Sequence, residues 1–212
     1  MKIAIIGSGV SGLTSAYLLS PSHEITIFEK SDRIGGHAHT IIVKEDGKKI
    51  AVDNGFMVYN PERYPNFVQL LNQLGVESIE TTMSFGLEIP GEISYNSDLP
   101  NGIFAVRANI FNLRFLKFLY NITRFRKKAR QALVNSPEST ETLGQFLKNN
   151  NFNQDVANWF LFPTLSAIWS IKEIDKINDF PAMSTFRFLD NHKLLNTTQP
   201  RWKTIKGGSI EY

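Results

Sequence analysis

The tightest constraint on this chain is a run of six residues near its start. Gly7-Ser8-Gly9-Val10-Ser11-Gly12 follows the apolar run Lys2-Ile3-Ala4-Ile5-Ile6 and leads into Leu13-Thr14-Ser15-Ala16-Tyr17-Leu18-Leu19. A second apolar run, Glu24-Ile25-Thr26-Ile27-Phe28, ends on Glu29. The pattern predicts strand, glycine turn, helix, strand and acid, the order of a dinucleotide-binding βαβ unit. Each glycine has its own task. Gly7 permits the sharp turn out of the strand, Gly9 lets backbone approach a diphosphate with no Cβ between, and Gly12 lets the helix pack closely on the strand. The diphosphate is expected on the N–H groups at the positive end of the helix, around Ser8, Val10 and Ser11. Glu29, roughly twenty residues beyond the glycines, is placed to accept hydrogen bonds from a ribose diol and to repel a 2′-phosphate. A glycine-rich turn without a ligand is the competing reading of the six residues alone. The flanking strands, the helix and the acid together outweigh it.

Arg33-Ile34-Gly35-Gly36-His37-Ala38-His39-Thr40 follows almost at once. Here the chain resembles the flavin-containing amine oxidase superfamily, which includes monoamine and polyamine oxidases and the phytoene desaturases. That family follows its ribose-binding Glu with Arg-x-Gly-Gly. The resemblance implies FAD rather than NAD. It places the Gly35-Gly36 backbone close to the cofactor and has Arg33 help balance its phosphates; Lys30 and His37 are counted among the expected cofactor contacts. Many members carry a second Arg directly after the glycine pair where this chain has His37, so one phosphate or flavin contact departs from the pattern. Asp53-Asn54-Gly55-Phe56-Met57-Val58-Tyr59-Asn60, Tyr64-Pro65-Asn66, Ala167-Ile168-Trp169-Ser170, Phe180-Pro181-Ala182 and Gly207-Gly208-Ser209 extend the likeness over the whole chain. They resemble a bacterial subgroup described only as predicted NAD/FAD-binding or amine-oxidase-like proteins. In the family the segment equivalent to Asn54-Gly55-Phe56 faces the flavin. On its residues alone, Asn54-Gly55 is an ordinary turn.

The 212 residues, 42% hydrophobic and 20% charged, are enough for a packed core. With no cysteine there is no disulfide, no cysteine metal cluster and no cysteine nucleophile. The first apolar run stops at Gly7, which suits a strand and not a signal peptide, and no apolar stretch is long enough to span a bilayer. The expected location is the cytoplasm, with peripheral contact to the inner membrane face as one option. That option comes from the charge. The net charge is only +3, yet Arg107, Arg114, Lys117, Arg124, Arg126, Lys127, Lys128 and Arg130 lie between Ile103 and Val134 with no acid among them. Phe111, Phe115, Phe118, Leu119, Ile122, Phe125, Ala129 and Leu133 recur there at helical spacing. The segment reads either as a long helix with an aromatic core face and a solvated basic face, or as an amphipathic helix that meets anionic lipid or an apolar, anionic substrate. No nucleic-acid module accompanies it.

Along the rest of the chain, Asp46-Gly47 between two β-rich runs predicts a hairpin. Asn60-Pro61 predicts a helix start that runs to Gly75. Pro90-Gly91 predicts a second hairpin, the pair suiting a mixed or antiparallel sheet. Thr142-Leu143-Gly144-Gln145 matches a capping box, Pro163 should kink or break the helix from Asp155 to Trp169, and residues 181–195 read as a further helix. Trp159, Phe160, Phe162 and Trp169 suit either an apolar cavity or a core. His192 reads as structural, and His37 with His39 is not a metal pair by spacing.

The expected fold is α/β: a Rossmann-like FAD-binding domain at 1–80, an inserted, partly helical α+β substrate domain at 81–205, and a return to the first domain at 206–212. In the resembled family a C-terminal segment completes the flavin pocket, and many amine oxidases carry a reactive-site lysine there. The chain therefore reads as an N-terminal half. The expected function is an FAD-dependent oxidoreductase that takes a hydride from a C–N or C–C bond of a small-molecule or lipid-like substrate. The alternative is a half-protein that binds FAD only with a second polypeptide. An NAD-dependent dehydrogenase is disfavoured by Arg33-Gly35-Gly36. No catalytic side chain and no metal ligand stands out.

Overall fold

The computed structural model describes residues 1–98, 101–196 and 201–212. They form two compact units, Met1–Thr82 with Arg201–Tyr212, and Met83–Pro200.

The first unit opens with β1 (Lys2–Ile6), α1 (Val10–Leu19) and β2 (Glu24–Phe28). The two strands pair in parallel, Lys2 opposite Glu24 and Ile6 opposite Phe28. Ile5 points at α1, close under Gly12. The other face is bare: Ile6 is 82% exposed and Phe28 54%. A hairpin follows, β3 (Thr40–Glu45) and β4 (Lys48–Asp53). Asp46 and Gly47 between them have φ of 49° and 74°, the paired left-handed geometry whose twist matches the strands.

The helix expected from Asn60 begins five residues later, as α2 (Pro65–Leu74). Asn60 instead folds a turn. Its Oδ1 accepts from Glu62 N at 3.0 Å, and its carbonyl accepts from the N–H of Arg63 and of Tyr64. The cause is a second proline. Pro65 drives Tyr64 out of helical geometry, to φ −121° and ψ 53°, and then serves as the first helical residue. Gly75 closes α2 at φ 70°. Next, β5 (Ser78–Thr81) pairs antiparallel with the last strand, β8 (Trp202–Ile205), with Thr81 opposite Trp202. The chain thus returns to this unit at 201, ahead of the expected 206. Tyr59, Leu71 and Ile205 form its small core, with Phe56, Phe67 and Tyr212 packed against them.

In the second unit β6 (Gly86–Ile89) and β7 (Ile93–Asn96) form the second hairpin, with Gly91 at φ 75° in its turn. The two hairpins do not share a sheet: each is a separate two-stranded ribbon. A 3-10 turn, Arg107–Phe111, precedes α3 (Leu113–Asn135). Asn112 caps α3 by accepting from Phe115 N at 3.2 Å. Phe115, Phe118, Ile122, Phe125 and Ala129 make its buried face. Phe111, expected on that face, precedes the helix and is 86% exposed. α4 (Leu143–Asn149) carries the Thr142–Gln145 capping box.

Pro163 does not break the chain's helical course. α5 (Gln154–Val156) runs through a π-helical turn, Ala157–Leu161, into α6 (Phe162–Trp169). The wider turn sits just before Pro163, where the missing N–H and the ring would otherwise collide with the preceding turn. α7 (Ala182–Asn191) completes the unit. The aromatic residues divide: Trp159 and Phe162 are buried, Phe160 is half-buried, and Trp169 is 37% exposed against Phe180 and Phe188. Arg114 lies 4.3 Å over the Trp159 ring and bonds both Asp155 carboxylate oxygens, at 2.6 and 3.2 Å. His192 is structural. Its ring lies 4.2 Å from that of Phe188, with Nδ1 2.9 Å from the Phe188 carbonyl. Among the described residues no helix is long and apolar enough to cross a membrane.

Phe125 is fully buried and meets Phe146, Phe152 and Phe186 edge to face. Truncating Phe125→Ala leaves a cavity that the three rings cannot close. Urea unfolding is expected to show a loss of about 3–5 kcal/mol, while the exposed Thr123→Ala changes little.

Candidate functional site

The glycine turn is built by close backbone contacts. Gly7, at φ 94°, donates its N–H to Phe28 O at 2.7 Å, which joins the turn to the end of β2. A Cβ on Gly12 would stand 2.1 Å from Gly7 O, so α1 can start here only with glycine at that position. Gly9 caps α1 in extended geometry. No side chain caps its first turn, and no acid lies in that turn. The N–H groups of Val10, Ser11 and Gly12 therefore form an anion cradle.

The second glycine segment comes to the same place. Gly35 N donates to Ser8 O at 2.9 Å, and Gly9 and Gly35 form a parallel bridge. Gly36, at φ 59°, lies so close that a Cβ would be 2.8 Å from Gly9 Cα. Gly55 is packed just as tightly, its absent Cβ directed at His37 O at 2.0 Å. Three glycine segments distant in sequence thus converge on backbone contacts that larger residues would prevent.

Glu29 is held inside the turn. Its Oε2 accepts from Ser8 N at 2.8 Å and Ser8 Oγ at 2.6 Å, and its Oε1 accepts from Ser31 N at 2.8 Å. The Ser31 N–H, then the Ser8 hydroxyl and N–H, hold its carboxyl at about 2, below the ordinary 4.5. Three of its roughly four acceptor positions are used within the chain. Arg33 and Lys30 are exposed, and Arg33 makes no hydrogen bond or ion pair among the described residues. His37 and Asn54 are exposed as well. Phe56 is half-buried, its ring 5.5 Å from Phe67, edge to face. Among the described residues no group of His, Cys, Asp or Glu could hold a metal ion.

Sequence reasoning missed one feature, a knot centred on Asp53. Asp53 Oδ1 accepts from Thr40 Oγ1 at 2.6 Å and from Ser209 N and Ser209 Oγ, both at 2.8 Å. Ile210 N donates to Thr40 Oγ1 at 2.9 Å. The Gly207-Gly208-Ser209 segment was visible in sequence, but its partner lies 156 residues away and nothing local identifies it. Burial, then the charge of Asp53, pushes the Tyr212 hydroxyl up to about 12. A cavity of about 800 Å³ lies beside this knot, lined by Leu13 and Tyr17 of α1, Leu70 and Leu74 of α2, Arg33 and Ile210.

Residues 5–74 match the model of the NAD(P)-binding Rossmann-like domain family. Protoporphyrinogen oxidase of Dictyostelium discoideum is 26% identical over 196 residues, which cover 79% of this chain and 34% of that protein. A 4,4'-diapophytoene desaturase of Staphylococcus aureus is 50% identical over 48 residues, 22% of this chain and 9% of that one. A solved putrescine oxidase mutant superposes with a TM-score of 0.62 at 19% identity, over 99% of this chain and 48% of that one. Residues 5–74 thus carry a Rossmann-like dinucleotide-binding domain, the named relatives are oxidoreductases, and the solved oxidase shares the fold. It spans about half the length of the solved oxidase and about a third of the Dictyostelium protein.

Two measurements check this geometry. The stability that ionised Glu29 contributes is present above its ordinary 4.5 and is lost as pH falls toward its folded value of about 2. A carboxyl NMR titration is expected to give that low value, Ser8→Ala to raise it, and Glu29→Gln to remove this part of the acid limb. Asp53→Ala leaves the Thr40 and Ser209 donors without their acceptor. It is expected to cost roughly 2 kcal/mol and to open the C-terminal residues 206–212 to limited proteolysis, measured against the unaltered chain.

Proposed function

We propose that this chain is the dinucleotide-holding part of an FAD-dependent oxidoreductase. The observation that carries the reading is the uncapped first turn of α1, with the Gly9 and Gly36 backbones packed together beside it. The N–H groups of Val10, Ser11 and Gly12 bind the cofactor diphosphate, Gly7, Ser8 and Gly9 shape the turn beneath it, and Arg33 and Lys30 offset its charge. Glu29 accepts from the adenosine ribose. Because Ser8 already occupies one of its oxygens, Ser8 competes with the ribose for the same acceptor. Gly35, Gly36, His37, Asn54 and Gly55 present backbone to the flavin side, and Phe56, anchored on Phe67, holds that segment in place. When bound, FAD supplies a hydride acceptor for a C–N or C–C bond. The protein residues bind and orient it.

Two substrate classes fit, an amine and an apolar chain. Relatives are named for putrescine oxidation and for phytoene-type desaturation. The aromatic interior of the second unit and its basic helix α3 favour the apolar chain. A second reading rests on a separate observation. α1 has no buried residue, and Ile6 and Phe28 lie bare. In that reading FAD is held only once a second polypeptide covers these faces, and this chain alone is not an enzyme. An NAD-dependent dehydrogenase is the least supported, because a nicotinamide site does not need the Arg33-Gly35-Gly36 segment.

The test is a visible absorption spectrum of the 212-residue chain after mixing with FAD and desalting. A retained flavin band that Gly12→Val abolishes supports the first reading. A chain colourless alone and coloured with a second polypeptide supports the second. A chain that binds NAD and no FAD overturns both.

A further inference from the structure

The outward face of α3 is the wrong kind of surface for a solvated helix. At about 100° per residue, Leu113, Leu116, Tyr120, Lys127 and Val134 fall opposite the buried Phe118, Ile122, Phe125 and Ala129. Such a face is ordinarily polar. Here Leu113 is 81% exposed, Tyr120 67% and Val134 79%, and Phe111 just before the helix is 86% exposed. The exposed polar residues along this face include Thr123, Gln131 and basic side chains, with no acid. The eight basic residues between Ile103 and Val134 have no acid among them.

Four of those eight are already engaged. Arg114 is bound to Asp155 and Glu92, and Arg124 donates to the carbonyls of Asn150 and Asn151. Arg130 donates to the Arg126 carbonyl and to Asn196 Oδ1, and Arg126 lies over the Phe160 ring. Lys117, Lys127 and Lys128 form no ion pair or hydrogen bond among the described residues; Lys117 lies about one turn from the exposed Leu113 and Tyr120, and Lys127 about two turns from Tyr120 and from Val134. We propose that this face, together with the turn carrying Phe111, docks on an anionic lipid bilayer. Apolar side chains at the centre would enter the headgroup boundary while flanking lysines meet lipid phosphates.

Charge selects this occupant over others. A second copy would bring the same uncompensated positive face against the first, and like charges repel. A nucleic acid would satisfy the lysines and leave Phe111, Leu113 and Tyr120 in water. Only an anionic surface with an apolar layer beneath it satisfies both. The proposal requires no bound cofactor and stands apart from the flavin reading.

The test is flotation of the full chain with vesicles of phosphatidylcholine alone and of phosphatidylcholine with phosphatidylglycerol in equal parts. Binding to the anionic vesicles only, weakened by added salt, is expected. Reversing Lys117→Glu, Lys127→Glu and Lys128→Glu together should lower it about tenfold or more. Leu113→Ser with Tyr120→Ser should also lower it. These side chains are exposed, so circular dichroism should show an unchanged fold. If the triple variant unfolds, Lys117→Glu and Lys127→Glu are read singly. Equal binding to both vesicles would reflect other bare apolar surface such as Ile6 and Phe28, and would overturn the proposal. So would binding that the lysine variants leave intact, displacement by inorganic phosphate at matched ionic strength, or a dimer that Leu113→Ser dissociates.

Discussion

One carboxylate oxygen closes the first unit. Asp53 Oδ1 takes three hydrogen bonds, one from Thr40 and two from Ser209, and so ties the β3–β4 hairpin to the end of the chain. The contact spans 156 residues. Closure entropy grows only logarithmically with length, at about 0.6 kcal/mol per doubling, so the span is less costly than it looks. The intervening residues also fold on their own local contacts, chiefly along α3 and from α5 to α6. The insertion leaves from β5 and returns on β8, where Thr81 and Trp202 are direct partners. Its ends therefore start and finish side by side, the condition under which a domain tolerates an insertion.

The glycine convergence depends on the same closure. Gly9, Gly35 and Gly36 touch because the loop after Glu29 is pinned at both ends, by Ser31 N on Glu29 and by Thr40 on Asp53. Gly35 and Gly36 take φ of 101° and 59° there, a geometry that a side chain would strain. The first turn of α1 gives up the cap that would have stabilised it, and an uncapped helix start is favourable where an anion binds it. Glu29 is drawn into the turn by Ser8. The acid of the fingerprint thus braces the cradle.

What the sequence showed, and what it hid, follows from the range of the forces involved. The glycine turn, the Asp46-Gly47 hairpin, the Thr142–Gln145 box and the buried stripe from Phe115 to Ala129 were legible because each is decided within a few residues. The start of α2 was misplaced because two prolines competed for it, and only Tyr64's backbone shows that Pro65 won. The π-helical turn before Pro163 was hidden because a kink and a widened turn answer the same steric conflict. Asp53 was legible as part of a turn. Its partner Ser209 was not, since no local pattern encodes a contact at that separation. The contact of Phe56 with Phe67 was hidden too, since packing of this kind is not encoded by the residue itself.

The exposed apolar residues fall into two kinds, and charge separates them. On β1, β2 and the β3–β4 ribbon, Ile6, Phe28, Ile41, Ile42, Val43 and Val52 are 43–82% exposed. These are strand faces of β-branched and aromatic residues. A parallel pair in this kind of fold is normally covered on both sides, and the solved oxidase that superposes on this chain is about twice as long. Such faces suit packed protein. The residues bared on α3 lie among lysines with no acid, a mixture that tight protein packing would penalise by burying unpaired charge. Exposed apolar area alone would assign both surfaces the same partner. The uncompensated lysines make that assignment costly for α3 and leave it open for the strands, so the two surfaces call for different partners.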